Sequence, residues 1–335
     1  MFKKLTYIFG ILIVLSSCFK EDEPMPAFTE KTTTIEMTEY YQYQVYFDLG
    51  TDSIVSSNDK SLWDLGFECA DSSWHILLNT SAFMLAGNTG LKDFDAAIDT
   101  TGLDWRFDKS NGNSDSTAIG SWFEINGTDT IYSNHLYIIN RGLNHVGIPR
   151  GLKKIVFTEV NEAGYHFKYA NLDGSEMNEY FIARDFERNY IQFSFDNGGQ
   201  RMELEPLSNE WDLLFTMYTT LLYTNEGDPY PYILTGVINN FDNVSVAVDS
   251  ASTFEDIDIN YAKSLELSTN KDAIGYDWKY LEGDPTTGGS FYYAVHENWT
   301  YVIKNRNGVY FKLRFIRFYN EQGEKGYPTF TYKVL

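Results

Sequence analysis

The sequence predicts an all-β (β-rich) chain, organised as two tandem sandwich-type units with short helices. Three observations lead there. Aromatic residues alternate with polar ones in Tyr41-Gln42-Tyr43-Gln44-Val45-Tyr46-Phe47, in Tyr165-His166-Phe167-Lys168-Tyr169 and in Tyr310-Phe311-Lys312-Leu313-Arg314-Phe315, the period-2 pattern of half-buried strands. Turn signals punctuate these runs at Asp173-Gly174, Asn197-Gly198-Gly199, Gly288-Gly289 and Asn307-Gly308. The third observation is an internal duplication.

Phe47-Asp48 precedes Trp63-Asp64-Leu65 by sixteen positions, and Phe195-Asp196 precedes Trp211-Asp212-Leu213 by the same sixteen. Ala118-Ile119-Gly120 with Trp122 then matches Ala273-Ile274-Gly275 with Trp278. Tyr137-Ile138-Ile139 matches Tyr301-Val302-Ile303, and Lys154-Ile155-Val156-Phe157 falls opposite Leu313-Arg314-Phe315-Ile316. The offsets run from 148 to 164, a drift that loop insertions produce while the order of landmarks is kept. Two long copies do not make a solenoid. Each is large enough for a core of its own, with expected units at 31–187 and 188–335. The junction, Arg184-Asp185-Phe186-Glu187-Arg188-Asn189, holds neither proline nor glycine, so the halves are expected to pack closely. The helix candidates are short and equivalent in place: Asp93 to Asp99 and Phe254 to Leu265.

The first residues set the compartment. Lys3 and Lys4 precede an apolar run from Ile8 to Leu15, which leads into Ser16-Ser17-Cys18. The run is short for a bilayer span and reads as a secretory signal. The cysteine at its end resembles a bacterial lipoprotein signal, which implies cleavage after residues 1–17, lipidation of Cys18 and a tether over 18–30. Lys20-Glu21-Asp22-Glu23 resembles the export tag of Bacteroidota surface lipoproteins. The expected location is therefore the outer membrane, lipid-anchored and facing the cell exterior. Pro24-Met25-Pro26 makes a stiff spacer.

Composition narrows the partners. Without residues 1–17 the chain carries 24 basic and 47 acidic residues, a formal charge of −23. Such a chain repels nucleic acid phosphates. Membrane attachment falls to the lipid on Cys18. Cys69 is then the one remaining cysteine, so no internal disulfide is expected, and a core rich in aromatics, 17% of the residues, must carry stability.

The lipoprotein start, the Trp-Asp strand at Trp63, the strand pair after Tyr301 and the ending Gly326-Tyr327-Pro328-Thr329-Phe330-Thr331-Tyr332-Lys333 together resemble the HmuY family of Bacteroidota surface lipoproteins, whose founding members capture haem. The resemblance covers nearly the whole mature chain, each repeat looking like a shortened family domain. It implies capture of haem, or of another small hydrophobic ligand, for delivery to a TonB-dependent outer-membrane transporter. In the haem-binding pattern an axial histidine follows a tryptophan by five positions. Gly127 stands there after Trp122, and Gly283 after Trp278. The candidates left for a cofactor site are Met84 and His75. The alternative is an adhesive module that binds glycan or protein on the same fold without haem.

Catalysis is not expected. The sequence has no Gly-x-Ser-x-Gly elbow, His-Glu-x-x-His or phosphate loop. His75, His135, His145, His166 and His296 are not spaced as zinc pairs. Asn111, Asn113 and Asp115 loosely resemble a calcium loop, but Trp122 stands where its glutamate belongs, so no metal is expected. Trp63-Asp64 and Trp211-Asp212 read as core tryptophans with aspartates that hold neighbouring groups.

Overall fold

The computed structural model describes residues 28–70, 74–240, 244–283 and 290–335. The expected signal segment, Cys18 and most of the expected tether lie outside the described residues. The fold is almost entirely antiparallel β, arranged as two lobes that repeat one plan.

In the first lobe a sheet runs Asn178–Ala183, Gly164–Ala170, Leu152–Asn161, Leu136–Asn140, Leu85–Asn88 and Trp105–Arg106. In the second, Lys31–Thr34, Lys325–Val334, Tyr310–Tyr319, Thr300–Lys304 and Ser245–Asp249 take the corresponding places. Opposing each is a four-stranded sheet. The first lobe orders Gln200–Met202, Tyr190–Ser194, Leu65–Glu68 and Ile76–Leu78. The second orders Ser53–Asp59, Tyr43–Asp48, Leu213–Tyr223 and Pro229–Asn239. Each lobe adds one hairpin, Phe123–Asn126 with Asp129–Tyr132 and Lys279–Glu282 with Tyr292–Val295. Strands from residues 31–59 thus complete the lobe formed by residues 213–334.

Alternation explains the burial. Phe67, Phe157, Phe167 and Phe193 point into the first core, around Trp122. Phe47, Phe215, Phe315 and Phe330 do so in the second, around Trp278. The two tryptophans are 2% and 1% exposed, so this landmark pair is a core pair. The rings meet edge-to-face or stacked, as for Trp278 on Phe315 with centroids 4.1 Å apart, a contact that adds to the burial of area.

The repeated Trp-Asp places an acid in each lobe at 0% exposure. Asp64 accepts from Arg141 Nε at 3.0 Å and Nη2 at 2.9 Å, and from the Phe195 amide at 2.8 Å. Arg150 Nη1 lies 3.0 Å away. Asp212 accepts from Arg306 Nη1 at 2.8 Å and from the Leu49 amide at 3.0 Å. Each buried acid therefore ties down a strand distant in sequence. Asn79 donates to the Trp63 carbonyl and Asn240 to the Trp211 carbonyl, at 2.9 and 2.8 Å, and both close the same turn.

The helix candidates part company. Ile259–Ser264 is helical, capped by Asp258 accepting from the amides of Asn260 and Tyr261. Residues 93–99 hold a turn at 94–95 and a bend at 96 but no helix, which corrects the first expectation. The Asp93 carboxylate accepts from the Asp95 amide at 3.0 Å, a local bond that competes with helix. Lys154 Nζ takes the Phe94 carbonyl at 2.7 Å, an acceptor a helix would need. A segment this short does not nucleate alone.

Candidate functional site

An open groove of 610 Å3 lies on the second lobe, lined by Tyr280, Tyr292, Tyr293, His296, Ile316 and Tyr319 among others. It is built on the hairpin Lys279–Glu282 and Tyr292–Val295. Lys279 turns inward at 8% exposure, while Tyr280 and Tyr292 are 40% and 55% exposed. The Lys279 ammonium donates to the Thr235 carbonyl and sits over the rings of Trp278 and Phe318 at 4.5 and 5.1 Å. This clamps the hairpin to the neighbouring strand. Burial pushes this lysine down to about 7. The Tyr293 amide donates to Tyr319 Oη at 2.8 Å, fixing the groove floor. The His296 ring stacks on Trp299 at 4.3 Å and lies 4.6 Å from Tyr280. Glu297, Asn298 and Arg317 also line it, so the result is a mixed aromatic and polar surface with one imidazole, suited to a flat molecule with an apolar face and polar edges.

The residues singled out in the sequence lie elsewhere. Met84 is 0% exposed within the first core. His75 lines a 160 Å3 cavity between the lobes, with Nδ1 2.6 Å from Glu68 Oε2. The structure does not bring the two to one site. That cavity is below the roughly 300–1,000 Å3 of ordinary ligand pockets. Gly127 and Gly283, which occupy the places of a family histidine, have φ of +65° and +91° beside hairpin turns. A Cβ on Gly283 would come 2.5 Å from the Ser290 carbonyl oxygen. A histidine there needs the hairpin rebuilt. A two-ligand haem iron site of the family kind therefore does not fit these residues.

Asn111, Asn113 and Asp115 cap their own loop, Asn111 Oδ1 accepting from the Asn113 amide and Asn113 Oδ1 from the Asp115 amide. Among the described residues no three His, Cys, Asp or Glu side chains gather as a metal site. Among them, too, no helix is long and apolar enough to cross a membrane.

A family model described as HmuY protein matches residues 40–332. The chain belongs to the HmuY family. The match spans both lobes of this HmuY-family chain, so the two-lobed plan as a whole carries the membership. Among solved structures, the chain is similar to the apo HmuY analogue TFO of Tannerella forsythia, at 12% identity over 93% of this chain and 98% of that one, with a TM-score of 0.25. It is also similar to apo PinO of Porphyromonas gingivitis, at 9% identity over 92% and 98%, with a TM-score of 0.30. Membership rests on the family model and not on these likenesses. No curated protein matches the sequence.

The groove was not legible as a site in the sequence. Tyr292 and Tyr293 belong to no motif, and His296 reads as a structural histidine among aromatics before Trp299. The usable signal was the density of tyrosine beside a histidine, in a segment equivalent to the hairpin that follows Trp122.

Proposed function

We propose that this protein is a non-catalytic surface lipoprotein that captures a flat hydrophobic ligand, haem among them, in the tyrosine-lined groove, for transfer to a TonB-dependent transporter. The observation that carries the reading is the groove itself: a site of ligand size whose walls are exposed tyrosines on a clamped hairpin. Stacking and apolar burial supply the affinity, and no pair of iron ligands is required.

The position of the groove supports the surface reading. Lys31 pairs with Tyr332 and Thr34 with Thr329, so the tether enters at one end of the strand Lys325–Val334. Tyr319 of the groove pairs with Lys325 at the other end. Seven residues of strand separate Lys325 from Tyr332, roughly 23 Å. A chain anchored through Cys18 would present the groove away from the membrane.

Haemin titration of the mature chain carrying Cys18→Ser, followed at the Soret band, tests this. A saturable one-to-one change is expected, weakened about tenfold or more in Tyr292→Ala with Tyr280→Ala. Absorbance that never saturates, or equal affinity in the variant, contradicts it. The alternative, a glycan- or protein-binding module, draws on the exposed Tyr223, Tyr230 and Tyr232 of the long hairpin, at 64%, 38% and 50% exposure. It would lead if no porphyrin bound.

A further inference from the structure

A second pocket, of 330 Å3, lies between the lobes, and none of the residues lining it lines the groove. Lys60 is at its base. This side chain is 4% exposed, and its Nζ meets Met217 Sδ at 2.8 Å. A thioether is a weak acceptor, and a buried ammonium held by nothing better is costly.

The other buried lysines are placed differently, Lys153 donating to Asn171 Oδ1 and Glu176 Oε2 at 2.6 and 3.0 Å. Lys154 donates to the Phe94 carbonyl at 2.7 Å. Lys312 donates to the Phe254 and Ile257 carbonyls at 2.6 and 2.9 Å. Lys279 donates to the Thr235 carbonyl. For Lys60, the neighbouring Asp59 does not fill the role. Its Oδ1 accepts from the Ser61 amide and hydroxyl at 2.8 and 2.6 Å, and its Oδ2 accepts from Gln42 Nε2 at 3.0 Å. His145 Nδ1 lies 3.2 Å from the same Oδ2. Burial pushes the Lys60 ammonium down to about 8, with the Asp59 charge offsetting part of the lost hydration.

The surroundings say what would complete it. Phe83, Leu143 and Ile233 give apolar walls, and the charged side chains Lys325 and Glu39 also line the pocket, leaving Lys60 as its buried cation. We propose that this pocket binds a small monocarboxylate with an apolar tail, the carboxylate accepting from Lys60 Nζ and the tail lying on Phe83, Leu143 and Ile233. The volume falls at the lower end of the roughly 300–1,000 Å3 usual for ligand sites, which suits a medium-chain acid. The inference is independent of the groove, and either stands if the other falls.

The test is isothermal titration of the mature Cys18→Ser chain with octanoate and with octanol. Octanoate is expected to saturate one site, and octanol to bind about tenfold or more weakly, since it cannot complete a charge-assisted bond. Lys60→Met keeps the apolar volume and is expected to lower octanoate affinity by about tenfold or more. The comparison of octanoate with octanol on the parent chain needs no variant to fold. Equal binding of the two, an octanoate titration that never saturates, or unchanged octanoate affinity in Lys60→Met overturns the proposal.

Discussion

Asp64→Ala is expected to cost about 3–5 kcal/mol of stability, the loss typical of removing one partner from a buried ion cluster. Asp64 is fully buried and faces Arg141 and Arg150, whose side chains are only 8% and 9% exposed. Without it, the remaining carboxylate in contact with both is Asp196, half open to solvent at 52%. Two guanidiniums would then stay buried with one screened counter-charge. The Phe195 amide would also lose its acceptor, loosening the end of the strand that crosses from the Trp211 side of the sequence. Urea unfolding, read by far-ultraviolet dichroism and by tryptophan fluorescence, measures the loss. A change below about 1 kcal/mol would mean that the cluster behaves like a surface pair, contrary to its burial.

The second large effect is on pH. Burial pushes Asp108 and Asp212 up to about 6, and Glu205 up to about 7. For Asp108, bonds from the amides of Leu78 and Ala118 at 2.6 and 2.7 Å only partly offset the lost hydration. A raised carboxyl keeps its proton in the folded state at pH values where the unfolded chain has lost it. The folded state then binds more protons, so stability falls as pH rises from about 4 toward 7. At about 1.4 kcal/mol for each pKa unit, the three groups together are expected to remove about 3 kcal/mol or more across that window. Asp59 and Asp196, held below the usual carboxylate range, act at lower pH. The depressed lysines Lys60 and Lys279 act above pH 7. Stability should therefore fall from mild acid toward pH 7, with the two lysines, which lose their protons first in the folded state, raising it again above pH 7, and Glu205→Gln should raise it at pH 7 and flatten the acid side of the profile. Denaturant midpoints at pH 5 and 7 decide the matter, and a midpoint that climbs from pH 5 to pH 7 would refute the sign.

Much of this architecture is legible in short-range patterns. The alternating runs at Tyr43, Tyr165 and Tyr310 became strands because their aromatic face met an opposing sheet. Trp122 and Trp278 lie one in each of the two cores, where large apolar rings bury the most area. The strand exchange is a different matter. Tyr43–Asp48 pairs with Leu213–Tyr223, and Tyr190–Ser194 with Leu65–Glu68, partners more than a hundred residues apart that no local period encodes. The landmark Phe195-Asp196 also sits two positions beyond its geometric counterpart. The Phe193 carbonyl takes the Asp64 amide, as the Phe47 carbonyl takes that of Asp212.

The site was the least legible part, for a physical reason. Met84 and His75 stood out by residue type, yet type does not say which face of a strand a side chain takes or what lies opposite. Met84 faces a packed core, and His75 faces Glu68. The groove arises where a clamped hairpin leaves tyrosines uncovered. Lys60 acquires its significance only when the strand Leu213–Tyr223, distant in sequence but in the same sheet, brings Met217 to it.

Parallel titration with haemin and with iron-free protoporphyrin IX tests the proposed stacking site most directly. Ring stacking in the groove predicts that both saturate one site with dissociation constants within about tenfold of each other, because the walls read the ring and not the metal. Saturable binding of haemin with none of the iron-free ring, or no saturable binding of either, would contradict that account.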